Sequence, residues 1–181
     1  MVEWCRIVGL GVVAAIAYGI AHDGVPTRGC VEYFTIGHPP IFGGITAPTA
    51  LALGWGVLAT WWVGAGLGIF LACTARFGSK PRLTAGDLLR PLGILLATMA
   101  VLALGAGLAG SFAAGRGWVF LVEPLASAIP AAKHRAFLAD LWAHLMAYAA
   151  AGVGGLVLAV WVTVRRVRLA ARASSNPLVA R

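Results

Sequence analysis

Four stretches of this chain, residues 4–21, 48–74, 91–114 and 137–164, are each at least 18 residues long and together hold two charged side chains, Arg6 and Asp140. Few folds accept such a pattern. An α-helix rises about 1.5 Å per residue, so about 20 apolar residues cross a hydrocarbon core about 30 Å thick. Inside lipid every backbone N–H and C=O must find its partner within a helix or a closed barrel. Barrel strands alternate polar and apolar residues, and these runs do not. The expected fold is all-α, an integral membrane four-helix bundle forming a single membrane domain over residues 1–181. Only 11% of the residues are charged, against about 25% in a soluble domain, and no linker or fixed-period repeat interrupts the chain. The first run carries Glu3 beside Arg6 and reads as a retained helix rather than a cleaved leader.

Orientation follows from lysine and arginine, which resist translocation. Arg6, Arg76, Lys80, Arg82, Arg90, Arg165, Arg166, Arg168, Arg172 and Arg181 flank one side; Arg28, Arg116, Lys133 and Arg135 flank the other. Both termini, the middle loop and a polar tail over 165–181 are expected in the cytoplasm, with the first and third loops outside. The net charge of +8 is then a topology signal, and no nucleic-acid partner is expected. The Arg-rich end of the last helix suits anionic headgroups of the lipid bilayer. Residues 76–90 read as an interfacial connector, and 118–122 as a segment dipping into the outer interface.

A second asymmetry lies in the titratable groups. His22, His38, His134 and His144 all fall on or near the outer side, with Asp23, Glu32, Glu123 and Asp140; the inner side keeps Glu3 and Asp87. A charge at the centre of a span costs about 2.5–3.5 kcal/mol, so such a gathering asks for a reason. In residues 22–40, Gly24 and Pro26 stop the first helix and Pro39-Pro40 bars helix at the far end. Tyr33 and Phe34 suit a headgroup position. His22, Asp23, Glu32 and His38 read as metal ligands, as a proton acceptor, or as an ion-pair network with Arg28. In the last helix Asp140 and His144 stand four apart on one face, continued by Tyr148, Gly152 and Gly155 toward the bundle interior. That pair reads as part of a site or as a hydrogen bond that fixes helix packing.

If the two clusters meet, His22, Glu32, Asp140 and His144 are the candidate ligands, with Asp23, Arg28, His38 and Tyr148 orienting them. Nitrogen and carboxylate donors suit a divalent zinc, iron or manganese ion; copper(I) fits less well, with soft sulfur limited to Cys30 and Met146. A haem between His22 and His144 is a further option, without a CxxCH attachment motif. Cys5, Cys30 and Cys73 are odd in number and only Cys30 falls outside, so no internal disulfide is expected. Gly64-x-x-x-Gly68, with Gly105, Gly107 and Gly110, reads as close helix packing. Trp55, Trp61 and Trp62 read as lipid-facing or packing residues. No Walker, Rossmann, HExxH or GxSxG pattern occurs.

The string His22-Asp23, then Arg28, Glu32-Tyr33-Phe34 and Gly37-His38-Pro39 resembles a loop found in a family of small multi-span bacterial membrane proteins with no assigned activity. The resemblance implies a multi-pass protein of the bacterial inner (cytoplasmic) membrane and carries no chemistry. Three classes remain: an outward-facing His/carboxylate site for a metal ion or proton, a small oligomeric transporter or channel, and a structural or assembly subunit of a larger membrane complex. The residues do not commit the chain to being an enzyme.

Overall fold

The computed structural model describes residues 1–175; Arg181 and the rest of the tail beyond 175 lie outside the described residues. Within them the chain is helical and without strands: α1 (Val2–Asp23), α2 (Pro26–Gly29), α3 (Val31–Thr35), α4 (Pro48–Leu58), α5 (Trp61–Arg76), α6 (Ala85–Gly115), α7 (Leu125–Ala128), a 3-10 turn (Ala131–Lys133) and α8 (His134–Ser174). Four helical stretches are long and apolar enough to cross a membrane: Val2–Gly29, Pro48–Arg76, Ala85–Gly115 and Ala131–Ser174. Their outward side chains are themselves apolar, among them Val13, Ile94, Val101, Leu104, Val153 and Val160.

Two helix pairs make the bundle: α6 lies along α8, α1 lies along α4 and α5, and α5 touches α8 to join them. Missing side chains bring α1 so close to its neighbours. A Cβ on Gly11 would stand 2.6 Å from the Gly64 carbonyl oxygen, and one on Gly64 would stand 2.5 Å from that of Gly11. One turn and more along, a Cβ on Gly19 would meet the Gly56 oxygen at 2.6 Å, and one on Gly56 would meet the Ile20 nitrogen at 2.5 Å. The glycine pattern in the second span is thus a docking surface for α1, extended by Gly56. Gly105, by contrast, faces open space. Between α4 and α5 the helix breaks at Ala59 and Thr60, where the Thr60 hydroxyl donates to the Gly56 carbonyl; a threonine bonded back one turn bends a helix.

Both α6 and α8 outrun the lengths their hydropathy predicts. α6 starts at Ala85, so residues 85–90 of the expected connector over 76–90 are the first turns of that long helix. Thr84 and Asp87 form a reciprocal cap: the Asp87 N–H donates to Thr84 Oγ1 (3.4 Å) and the Thr84 N–H to Asp87 Oδ2 (2.9 Å). Pro91 continues the helix although it has no N–H to offer the carbonyl four residues back. That carbonyl belongs to Asp87, and Arg165 takes it over, donating from Nη1 to Asp87 O (3.2 Å) and from Nη2 to Asp87 Oδ1 (2.7 Å). Thr84→Ala removes the cap, and a loss of about 1 kcal/mol is expected in thermal unfolding in detergent.

Similarly, residues 165–174 of the expected tail are helix, because Arg166 is turned inward and 5% exposed. Its guanidinium donates to the carbonyls of Thr74 (2.6 Å), Phe77 (2.7 Å), Pro81 (2.9 Å) and Lys80 (3.0 Å). Here too Glu3 accepts from the Ala85 N–H (3.1 Å), capping α6 from α1. An apolar core behind this end joins Ile7, Leu71, Leu83, Leu88, Leu158 and Val162.

The opposite end has its own core, built on Cys30, Phe34, Leu51, Trp55, Ile129 and Phe137. Tyr33 and Phe34, expected among headgroups, are buried here, because the short helices α2 and α3 fold the 22–40 segment back over the bundle. Residues 118–122 alternate: Val119 and Leu121 pack on this core while Trp118, Phe120 and Val122 are exposed.

Candidate metal centre

α1 ends at this second core and α8 begins there, so the last residues of one meet the third turn of the other. Gly24 continues the αR conformation just past α1 (φ −59°, ψ −23°), and the Thr27 hydroxyl donates to the Asp23 carbonyl at 2.7 Å. Those bonds fix the backbone that carries His22 and Asp23. The ring of His144 lies across from them, its centroid 4.6 Å from that of His22 and nearly perpendicular to it, at 75°.

The hydrogen bonds of His144 define how it is held. Nδ1 lies 2.8 Å from the carbonyl oxygen of Asp140, and a carbonyl can only accept, so Nδ1 carries a proton. Nε2 is thereby aimed at Asp23 Oδ1, 3.1 Å away, and both side chains are about nine-tenths buried. His22 Nε2 is buried and has no hydrogen-bond partner among the described residues. One donor atom from each of His22, Asp23 and His144 lies within 4.8 Å of the other two.

His38 sits nearby in the same manner, its Nδ1 2.8 Å from the Tyr33 carbonyl and its ring against Trp55 at 4.6 Å between centroids. Burial, with the neighbouring His144, pushes its pKa below the usual imidazole value, and the bond to Tyr33 only partly offsets this. Burial pushes the Cys30 thiol up to about 11, so it stays protonated, and its Sγ lies 3.5 Å from Glu32 Oε2 as donor. Burial likewise raises the Tyr33 phenol well above its ordinary value.

Of the four expected ligands, His22 and His144 come together and are joined by Asp23, which was expected to orient rather than ligate. Glu32 is engaged by Cys30, and Asp140 contributes its carbonyl while its Oδ2 is buried without a partner among the described residues. Neither belongs to the three-residue group. Arg28 donates to the Gly24 carbonyl and to Thr49 Oγ1 (3.4 Å), not to an acid. His134 bonds the Ile129 carbonyl through Nε2 at 2.9 Å, away from the centre. Two imidazoles with centroids 4.6 Å apart leave no room for a porphyrin between them, so the haem option closes.

Below the histidines a cavity of about 90 Å³ runs between the four long helical stretches. Tyr18 and Tyr148 line it, each one turn from a histidine: Tyr18 precedes His22 by four residues on α1, and Tyr148 follows His144 by four on α8. Because the two helices run in opposite directions here, both phenols lie on the bundle side of their histidines. The spacing of Tyr18 and His22 is legible in the chain, since residues four apart share a helix face. Trp55, by contrast, carries no sequence signal that separates it from Trp61 and Trp62, yet it alone of the three is buried. No family model, no curated protein and no solved structure matches this chain.

Proposed function

We propose that this chain is an integral membrane protein, with both termini cytoplasmic, whose outer end holds one divalent zinc, iron or manganese ion between His22, Asp23 and His144. The insertion reading rests on four long apolar spans with apolar outer faces. The orientation rests on the arginines, since Arg76, Arg165 and Arg166 share the end opposite the histidines and basic residues favour the cytoplasmic side.

The mutual approach of three ligating atoms to within 4.8 Å carries the metal reading. Donors sit about 2.0–2.2 Å from a zinc ion and thus roughly 3.4 Å from one another in a tetrahedron, so a side-chain adjustment of about an ångström closes the site. The Nδ1–H bond from His144 to a backbone carbonyl is the outer contact that fixes tautomer and ring direction in metal-binding histidines. Two imidazoles and one carboxylate leave a coordination position open, the arrangement of a reactive rather than a sealed site. The nearby Asp140 carboxyl and the unpartnered His22 nitrogen both gain from a cation at this point.

Protein purified in detergent, stripped by chelator and dialysed against zinc is expected to retain about one ion per chain, with a thermal midpoint raised by the bound metal. His22→Ala and His144→Ala are each expected to retain less than a tenth of that. Asp23→Asn preserves a hydrogen-bonding partner for His144 and the packing, but removes the charged ligand; its helix content should match wild type while its metal affinity falls at least tenfold. Wild-type protein that binds no zinc, iron or manganese, with a midpoint indifferent to all three, would reduce the triad to a hydrogen bond that ties α1 to α8.

A further inference from the structure

The cavity beneath the histidines has two ends of different chemistry. Around the histidines its wall is aromatic and polar, formed by Tyr18, His22, His38, Trp55, His144 and Tyr148. Toward the other end it is lined by Leu67, Leu71, Leu92, Leu95 and Met99. Three of those polar residues hold buried atoms with no hydrogen-bond partner among the described residues: Tyr18 Oη, His22 Nε2 and Trp55 Nε1. Trp55 is 7% exposed, and its indole N–H can only donate. A buried donor left alone is costly, and the indole N–H and the phenol O–H at one end of one cavity point to a missing acceptor.

A second void lies on the other side of the same wall. Between α6 and α8 a groove of about 590 Å³ opens on the outer face of the bundle, lined by Ile94, Leu102, Val153 and Trp161 among others, and it shares Leu95 and Met99 with the inner cavity. Apart from Thr98, whose hydroxyl donates to the Ile94 carbonyl (2.9 Å), its lining is apolar, and its volume falls within the range of about 300–1,000 Å³ typical of small-molecule sites. The partition between the two spaces is thin and soft. Leu95 rests over Gly154, where a Cβ would strike its side chain, and methionine has three rotatable bonds that adapt to what lies beside it.

We propose that the inner cavity binds a flat, neutral, carbonyl-bearing ring on a single apolar chain, with the ring among Tyr18, His22 and Trp55 and the chain passing Leu95 and Met99 into the α6–α8 groove. A ring is favoured because the polar end is walled by aromatic side chains that stack on flat partners. An anion is disfavoured by the Asp23 carboxyl, which lines that end, and a cation by the indole N–H, which can only donate. A carbonyl oxygen is the acceptor that the indole and phenol lack, and the apolar chain suits a ligand drawn from the bilayer. This inference rests on the proposed site for its location, but not on the ion, since Tyr18 and Trp55 are not ligands.

Radiolabelled 2-decyl-1,4-benzoquinone is the probe, measured by equilibrium binding to the full chain in detergent, with zinc content read on the same samples. Saturable binding is expected in wild type, metal-free or loaded. Trp55→Phe and Tyr18→Phe each keep an aromatic ring and remove one donor, and each should weaken binding about tenfold, the factor expected for roughly one hydrogen bond. Leu95→Trp should obstruct the passage and weaken it at least as much, with zinc content unchanged in all three. Decanol, which has the chain without the ring, should bind at least tenfold more weakly. The proposal is overturned if the quinone only partitions into micelles without saturating, if both conservative variants bind as wild type does, or if decanol binds equally well. In those outcomes the zinc measurement still decides the metal reading by itself, since none of the three substituted residues is a proposed ligand.

Discussion

Replacing Arg166 by alanine is expected to destabilise the protein by about 3 kcal/mol or more, the largest single-residue effect at the end of the bundle opposite the histidines. Four backbone carbonyls of the 74–81 segment accept from this one guanidinium. Hydrogen bonds to a charged group contribute about 1.5–3 kcal/mol each, and a buried acceptor left alone costs about 1–3 kcal/mol. Those terms do not simply add, because water can reach these carbonyls once the side chain is gone. Arg166→Met keeps much of the buried stem and loses every donor, so it should behave like alanine if the carbonyls matter and like wild type if packing alone does. Lysine retains the charge but presents its three donors from one point, where the planar fork of arginine reaches carbonyls on four residues. An intermediate midpoint is therefore expected for Arg166→Lys. Thermal unfolding in detergent, followed by helix content, orders the three variants. Equal midpoints for wild type and Arg166→Met would remove the clasp from this account.

The second large effect is expected at the contact of α1 with α4 and α5. Gly56→Leu and Gly64→Leu push a side chain into backbone atoms that would lie 2.5 Å from the first carbon added. Overpacking of this kind typically costs about 1–3 kcal/mol, and more is expected here because the obstacle is helix backbone rather than a side chain that can rotate. The consequence reaches the site. His22 and Asp23 ride on α1, while His144 rides on α8, so tilting α1 off its glycine seat separates the imidazoles. Zinc retention should fall in both variants although neither residue touches the ion. Gly66→Leu is the control, since nothing lies within 4 Å of a Cβ at that position, and it should leave both midpoint and metal content near wild type.

Much of the architecture can be read without coordinates, and the reasons differ element by element. Apolar runs reveal the four spans because hydrocarbon admits only segments that satisfy their own backbone. Their ends are less legible, because hydropathy stops where charge begins while a helix stops where its hydrogen bonds do. Thr84 and Asp87 do carry the spacing of a helix cap, but Pro91 conceals it: a proline suggests a start, and only the Arg165 side chain, 78 residues from the Asp87 it contacts, shows why the helix runs through it. Arg166 illustrates the same limit. Counted as one more cytoplasmic charge it marks topology, yet its burial depends on four carbonyls supplied by a distant turn.

The candidate centre divides along the same line. The i, i+4 face of Asp140 and His144, the helix stop after Asp23, and the collection of histidines at one end are local patterns, fixed by helix geometry and by the cost of placing charge in lipid. Which carboxylate meets the imidazoles is a different kind of fact. Asp23, Glu32 and Asp140 are equivalent as letters; the glycine contacts of α1 and the fold of α2 and α3 bring Asp23 to His144, turn Glu32 toward Cys30 and leave Asp140 holding the ring by its backbone. Distances between residues over a hundred positions apart arise from how helices pack, and packing depends on the joint shape of two surfaces that no single stretch of chain contains.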